Sequence, residues 1–468
     1  MAHSVSVAGK RRSIRALAPL NLFLADVRDG VGPYLAIYLL SVRHWQPGSI
    51  GLAMALPGLV AVLLQTPAGS LVDTSTHKRR LLVLASVVVA VSCVAAVTFV
   101  SPPVIYATQM LTGAATTIYA PVVAAITLGL VGHRRFAQQT GHNEAWNHGG
   151  NVLAAVLAGL IGYYWRYDGI FYLVALMCAL GSWSALRINP KDIDNDLARG
   201  QGGDDPKTDE IEATKSAPVA KGAADAPTAS GNNGSAAAQS PAETESAPEE
   251  AGSQTAGFRQ VLGNPRIRRF AIAVILFHFA NAAMLPLVGQ KLALSNQKAS
   301  ALFMSACIIV AQLVMIPVAA WVSRRAPDAG RKPVFLLAFA VLPVRGVLYT
   351  LSSNAYFLVG VQVLDGLAGG IFGVISVIMI ADLTRGTGRF NFVQGAIATA
   401  LGIGASLSTV GAGYLVQHFG YRVGFLALAA VAAVALAFFW FFVEESNPAL
   451  ATSEGSNASV VAPQPALS

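Results

Sequence analysis

The chain is poor in charge. Only 12% of its 468 residues are Asp, Glu, Lys or Arg, about half the share of a soluble domain. With 54% hydrophobic residues and a mean hydropathy of +0.55, too few charges remain to cover a soluble surface. Cysteine is scarce too. Cys93, Cys178 and Cys307 all fall inside apolar runs and share no metal or redox spacing, so no disulfide framework is expected. No nucleotide loop, nucleophile–base pair or metal-ligand spacing occurs, so neither an enzyme nor a cofactor is expected. The net charge of +8 is no nucleic-acid footprint, because the basic residues lie in short clusters between apolar runs.

What the chain has is long apolar runs, about twelve of them. They cover 17–40, 50–72, 81–100, 104–131, 137–163 and 170–186, then 270–289, 299–322, 333–351, 356–381, 392–416 and 423–443. The fold class is therefore an all-α polytopic membrane protein. Lys10, Arg11, Arg12 and Arg15 precede the first run as in a signal peptide. That run is too long and carries charges, so it is expected to be retained as a helix.

Lys and Arg crowd one set of loop ends, among them Lys78, Arg79, Arg80, Arg134, Arg135, Arg331 and Lys332. The opposite set holds only Arg43, Arg166, Lys291, Lys298 and Arg422. This bias predicts that both termini and the central loop are cytoplasmic, in a plasma (inner) membrane. The domain plan follows: an N-terminal tail at 1–16, six spans in 17–188, a linker at 189–257, six spans in 258–445 and a tail at 446–468. The linker is rich in Ala, Ser, Gly, Pro and acids and cannot bury enough surface to fold, so it reads as a flexible tether. The glycosylation sequons at Asn233 and Asn457 fall on the predicted cytoplasmic side and are discounted.

The two halves repeat each other at an offset of about 250 residues. Gln109-Met-Leu-Thr-Gly113 matches Gln362-Val-Leu-Asp-Gly366, and Arg135-Phe136 with Gly141 matches Arg389-Phe390 with Gly395. A parallel duplication of six-helix halves predicts a substrate path at their interface, near the midplane.

Three polar groupings stand inside the spans. The first span holds Asp26, Arg28 and Asp29, each costing roughly 2.5–3.5 kcal/mol on an insertion scale. Such a helix needs partners and a polar interior. Either Arg28 merely balances one aspartate, or one acid is left to take a proton or bind a cation. Gly30, Gly32 and Pro33 follow and allow a bend beside the charges. In the fifth span Thr140, Glu144, Asn147, His148 and Asn151 form one stripe of a helix. That stripe faces either a cavity or a hydrogen-bonded helix seam. In the second half, Asp365 and Arg345 could pair, and His278 and Asn281 mirror the charged segment of the first helix. Gln65, Tyr119, His142 and Gln312 are further candidates to line a cavity.

Six plus six spans, a central tether and a loop signature together resemble the major facilitator superfamily. The signature is Gly69-Ser-Leu-Val-Asp73-Thr-Ser-Thr-His-Lys78-Arg79-Arg80, with Thr76 where the family's loop glycine is usual and His77 where an arginine is usual. In the second half Ser323 replaces the aspartate. The resemblance implies two pseudo-symmetric six-helix bundles, alternating access, and a cytoplasmic gate at Gly69, Asp73, Lys78, Arg79 and Arg80. From the residues themselves, Asp73 sits at a helix C-terminus, where the dipole disfavours an anion. It should seek Lys78, Arg79 or helix N-termini of the other half. Two further family patterns are altered: Gln109 stands where many members have an arginine, and Gly149-Gly150 lack the exporter proline.

These features predict a monomeric secondary transporter with a small-molecule substrate, similar to drug and metabolite exporters. Proton-coupled export of a small amphiphilic compound is the economical expectation. The alternatives are an importer of a cationic or zwitterionic solute, and a non-transporting membrane sensor or scaffold working through the tether.

Overall fold

The computed structural model describes residues 7–29, 32–99, 101–199, 263–385 and 390–447. Within them every element is helical and there is no strand. The first half contains α1 (Val7–Arg15), α2 (Leu17–Asp29), α3 (Gly32–Ser41), α4 (Pro47–Thr74), α5 (Lys78–Thr98), α6 (Pro102–Tyr164) and α7 (Asp168–Leu186). The second contains α8 (Pro265–Asn281), α9 (Met284–Ser295), α10 (Ser300–Ala329), α11 (Arg331–Leu351), α12 (Ala355–Leu383) and α13 (Phe390–Phe442).

Nine helices among the described residues are long and apolar enough to cross a bilayer. They make twelve crossings, because α6 and α13 each turn back on themselves and α2 with α3 forms the first crossing. The reversals sit at Gly132 (φ 74°) and Gly420 (φ 80°), in the left-handed region that glycine enters without a Cβ penalty. The crossings form two pseudo-symmetric bundles of six, one from each half. Crossings alternate in direction, so the turns at 75–77, Gly132 and Gly330 share one side with the start of α2 and the end of α13. This is called the terminal side below, and the opposite one the far side.

The duplication is visible in the packing. Within each bundle the same glycines carry the closest helix approaches. A Cβ at Gly150 would lie 2.1 Å from the Leu22 carbonyl oxygen, and one at Gly404 would lie 2.4 Å from that of Ile275. A Cβ at Gly113 would meet the Pro57 oxygen at 2.5 Å, and one at Gly366 the Ala311 oxygen at 2.4 Å. These pairs stand at the repeat offset. Gly150→Val and Gly404→Val are each expected to cost about 1–3 kcal/mol or more by overpacking. Thermal unfolding in detergent reads the loss. Alanine at Gly141 or Gly395, where no atom lies within 4 Å, serves as the control and should not destabilise.

Bundle meets bundle mainly on the far side. The apolar core of the first bundle runs on into Ala293, Ala301 and Met304 of the second. Along α4 and α13, a Cβ at Gly51 would sit 2.2 Å from the Thr409 carbonyl oxygen, and one at Gly413 2.6 Å from that of Pro47. Tyr34 Oη lies 2.8 Å from Ser305 Oγ, Tyr167 bonds Ser300, and Gln297 donates to the Ser41 carbonyl. Towards the terminal side, beyond the Gln65 to Thr399 bond, no atom lies within 4 Å of a Cβ at Gly69.

Residues 189–199, the start of the segment read as a tether, pack across the terminal face of the first bundle. The Asp194 amide donates to the Gly129 carbonyl, and Arg199 donates to that of Thr74. The remainder of the tether, 200–257, lies outside the described residues, as do 1–6 and 448–468 of the tails.

Candidate functional site

A cavity of about 370 Å³ lies between the bundles. That is within the usual range for a small-molecule site. Its walls begin with the starts of α3 and α9. Proline has no N–H and breaks the i to i−4 ladder. Pro33 lies in the first turn of α3 and Pro286 in the first turn of α9, at the repeat offset, and both line the cavity. Gln109, Thr112 and Thr116 line it from the first arm of α6, at helical spacing that puts them on one face. Met54, Pro57, Phe171 and Leu285 add apolar wall.

The polar corner belongs to the second bundle. Arg345 of α11 donates to Asp365 of α12 through Nη1, and through Nη2 to Asn281 Oδ1 at 2.7 Å. Asn281 is the last residue of α8. The Arg345 side chain is 1% exposed and that of Asp365 is 20% exposed. The carboxylate thus faces the cavity, and the guanidinium stands behind it. Arg345 also sits 5.8 Å from the centre of the Tyr349 ring, and Gln362 donates to the Tyr349 hydroxyl at 3.0 Å. Arg345 Nε is buried with no hydrogen-bond partner among the described residues. Taking such charges out of water is costly, and breaking the pair leaves one of them uncompensated.

Of the polar residues singled out from the sequence, Gln109, Asn281, Arg345 and Asp365 share this cavity. The stripe on the second arm of α6 does not line it. Asn147 donates to Glu144 at 3.2 Å on its own helix, and Asn151 is buried. His148 Nδ1 meets Gln312 Oε1 of α10 at 3.0 Å, a bond from one bundle to the other. Gln65 makes another such bridge, to Thr399 of α13. His278 packs edge-on against Phe372 at 4.7 Å, and its Nε2 is buried without a partner among the described residues. Positions 26, 28 and 29 fall in α2, but the side chains of Asp26, Arg28 and Asp29 lie outside the described residues.

Comparison with known proteins is decisive for the family. The model of the Major Facilitator Superfamily matches residues 17–342 and 328–468. The chain belongs to the major facilitator superfamily. This transporter is 44% identical over 426 residues to an uncharacterized MFS-type transporter of Mycobacterium tuberculosis, strain H37Rv, covering 91% of this chain and 92% of the relative. The counterpart in strain CDC 1551 gives the same figures. Among solved structures, the nucleoside transporter NupG superposes with a TM-score of 0.67 at 14% identity, covering 92% of this chain and 98% of that one. A point mutant of NupG gives 0.68 at the same identity, covering 92% and 100%. The likeness to NupG establishes the fold. Membership of the family makes the chain a multi-pass secondary transporter with a small-molecule substrate.

The signature loop of the transporter is tied to its own bundle. Lys78 is buried, and its Nζ donates to the Ser75 carbonyl at 2.9 Å. Arg79 donates to the carbonyls of Leu186 and Ile188 at the end of α7. Asp73 is exposed and makes no hydrogen bond or ion pair among the described residues, although Lys78 and Arg199 attract it through space. Arg80 is exposed.

Sequence reasoning missed Thr112, Thr116, Met54 and Pro286. Two signals could have found some of them. Thr112 and Thr116 follow Gln109 on its own helix face, and Pro286 is the repeat counterpart of Pro33. Met54 carried no such signal.

Proposed function

We propose that this transporter moves a small amphiphilic solute by alternating access, coupled to protons, with export as its direction. The observation that carries the reading is the cavity itself: an apolar wall of Met54, Phe171 and Leu285, polar side chains of Gln109, Thr112 and Thr116 beside it, and a charged corner in which Asp365 faces the space and Arg345 backs it. An amphiphile buries its apolar body against Met54, Phe171 and Leu285 and bonds its polar end to that corner. Asp365 is held by one cation, and protonation or a competing donor would release Arg345. That makes the pair suited to linking proton and solute. A zwitterion would need both signs accessible, and Arg345 is too deeply buried to offer its charge.

The other parts of the reading follow. Both termini face the cytoplasm of a plasma (inner) membrane, in keeping with the Lys and Arg bias, and the protein works as a monomer. The conformation described is then open to the cytoplasm and closed outside. Gly69, Asp73, Lys78, Arg79 and Arg80 form the gate that closes the cytoplasmic side in the alternate state. The space beside Gly69 is the room that closure would use. Gly69→Val is expected to leave the present conformation intact and slow turnover tenfold or more. A thermal scan and a transport rate check the two halves of that statement.

The test is a proteoliposome assay with an imposed pH gradient and a panel of amphiphiles. Solute movement should drive proton flux and stop when the gradient is collapsed. Full accumulation without a gradient overturns proton coupling. Asp26→Asn, Asp29→Asn and Glu144→Gln belong in the same assay. The proton-carrying acid is the one whose neutral variant keeps solute exchange but loses gradient-driven accumulation. Deleting 200–253 with the halves still joined should spare transport, which would dispose of a tether-based scaffold.

A further inference from the structure

We propose that the terminal-side corner of the first bundle, where α5 begins and α7 ends, binds the headgroup of an anionic phospholipid. Arg79 fastens these two helix ends together through the Leu186 and Ile188 carbonyls. Arg80 stands exposed beside it. Arg187 is exposed and lies 4.7 Å over the ring of Trp183, which is itself 53% exposed. An aromatic ring with a cation beyond it is the arrangement expected at headgroup level.

α1 extends the same surface. Ser13 Oγ donates to Asp192 at 2.6 Å and accepts from the Asn189 amide at 3.0 Å, so the helix is pinned beside the end of α7. It presents Arg12 and Arg15 to the outside. Arg12, Arg15, Arg80 and Arg187 make no ion pair among the described residues. Of the acids on this side, Asp192 is buried and already engaged by Ser13, and Asp73 interacts with Lys78 and Arg199. Asp194 and Asp196 lie over α6 instead, where the Asp194 amide bonds Gly129.

The second bundle treats the equivalent corner differently. Arg266 and Arg269 both pair with Glu444, and Arg331 pairs with Asp382. Glu445 accepts the amides of Arg331 and Lys332 at the start of α11. There the chain supplies its own anions. In the first bundle Arg12, Arg15, Arg80 and Arg187 have no such partner among the described residues, and they stand above apolar surface: Leu84 and Leu186, on the same two helices, are 61% and 52% exposed. A phosphate headgroup with its acyl chains along α5 and α7 completes both features.

The experiment is native mass spectrometry of the delipidated full chain, titrated with phosphatidylglycerol or phosphatidylcholine. The expected result is retention of phosphatidylglycerol over phosphatidylcholine, weakened about thirty-fold in Arg80→Gln/Arg187→Gln. Arg324→Gln/Arg325→Gln removes the same charge from an exposed site on the second bundle and should retain the lipid as the wild type does. Equal weakening in both double variants, or equal retention of the two lipids, overturns the proposal.

Discussion

Asp365→Asn is expected to reduce gradient-driven solute accumulation to background while the protein still reaches the membrane and folds. The residue is placed for it: its carboxylate faces the cavity, and Arg345 is its ion-pair partner. An asparagine keeps the shape and still accepts from Arg345 but carries no exchangeable charge, and it leaves the buried Arg345 charge uncompensated, so it should lower thermal stability as well. Arg345→Gln breaks the same pair from the other side. It removes a fully buried guanidinium and strips Asp365 and Asn281 of their donor. Breaking a buried pair from one side costs about 3–5 kcal/mol. The double variant Arg345→Gln/Asp365→Asn should recover most of that stability, since no charge is left unpaired, yet remain inactive. Thermal unfolding and transport, measured on the three variants together, separate a structural from a functional pair. Wild-type accumulation by the double variant would reduce the corner to scaffolding.

The second large effect is expected at the far-side seam. A valine at Gly51 cannot coexist with the Thr409 carbonyl, which would lie 2.2 Å from its Cβ, nor comfortably with Gly413 beyond it. Backbone offers no flexible end to swing aside, so α4 and α13 must part. Gly51→Val should therefore lengthen far-side distances between the bundles and slow transport tenfold or more. Spin labels at exposed His44 and Asn296 report the separation, because their loops flank the Gln297 to Ser41 bond. Unchanged distances would mean that the seam yields locally and does not hold the bundles closed.

Much of the architecture was legible in the sequence because hydropathy and repeat spacing are local properties. The runs matched helices, and the duplicated glycines met the same neighbours in each half. The site was less legible. Gln109 and Asp365 are far apart in the chain, and only the docking of the bundles brings them to one cavity. The stripe from Glu144 to Asn151 shows the limit from the other side. Its periodicity marks a polar face, but a polar face says nothing about what lies opposite. Here His148 meets Gln312 of the second bundle instead of the cavity. The basic loop shows it again, since Arg79 uses its donors on the carbonyls that end α7.

The amino-acid order by itself determined that the chain crosses a membrane, that it is two related halves, and which family it joins. Each of these depends on how apolar residues and short motifs are distributed along the chain, and burial in lipid reads that distribution directly. Only the tertiary structure decided which polar groups share a space, which are tied to their own helix, and which side of the molecule is shut. Those outcomes depend on how helices rotate against one another, and close glycine contacts between distant segments settle that rotation.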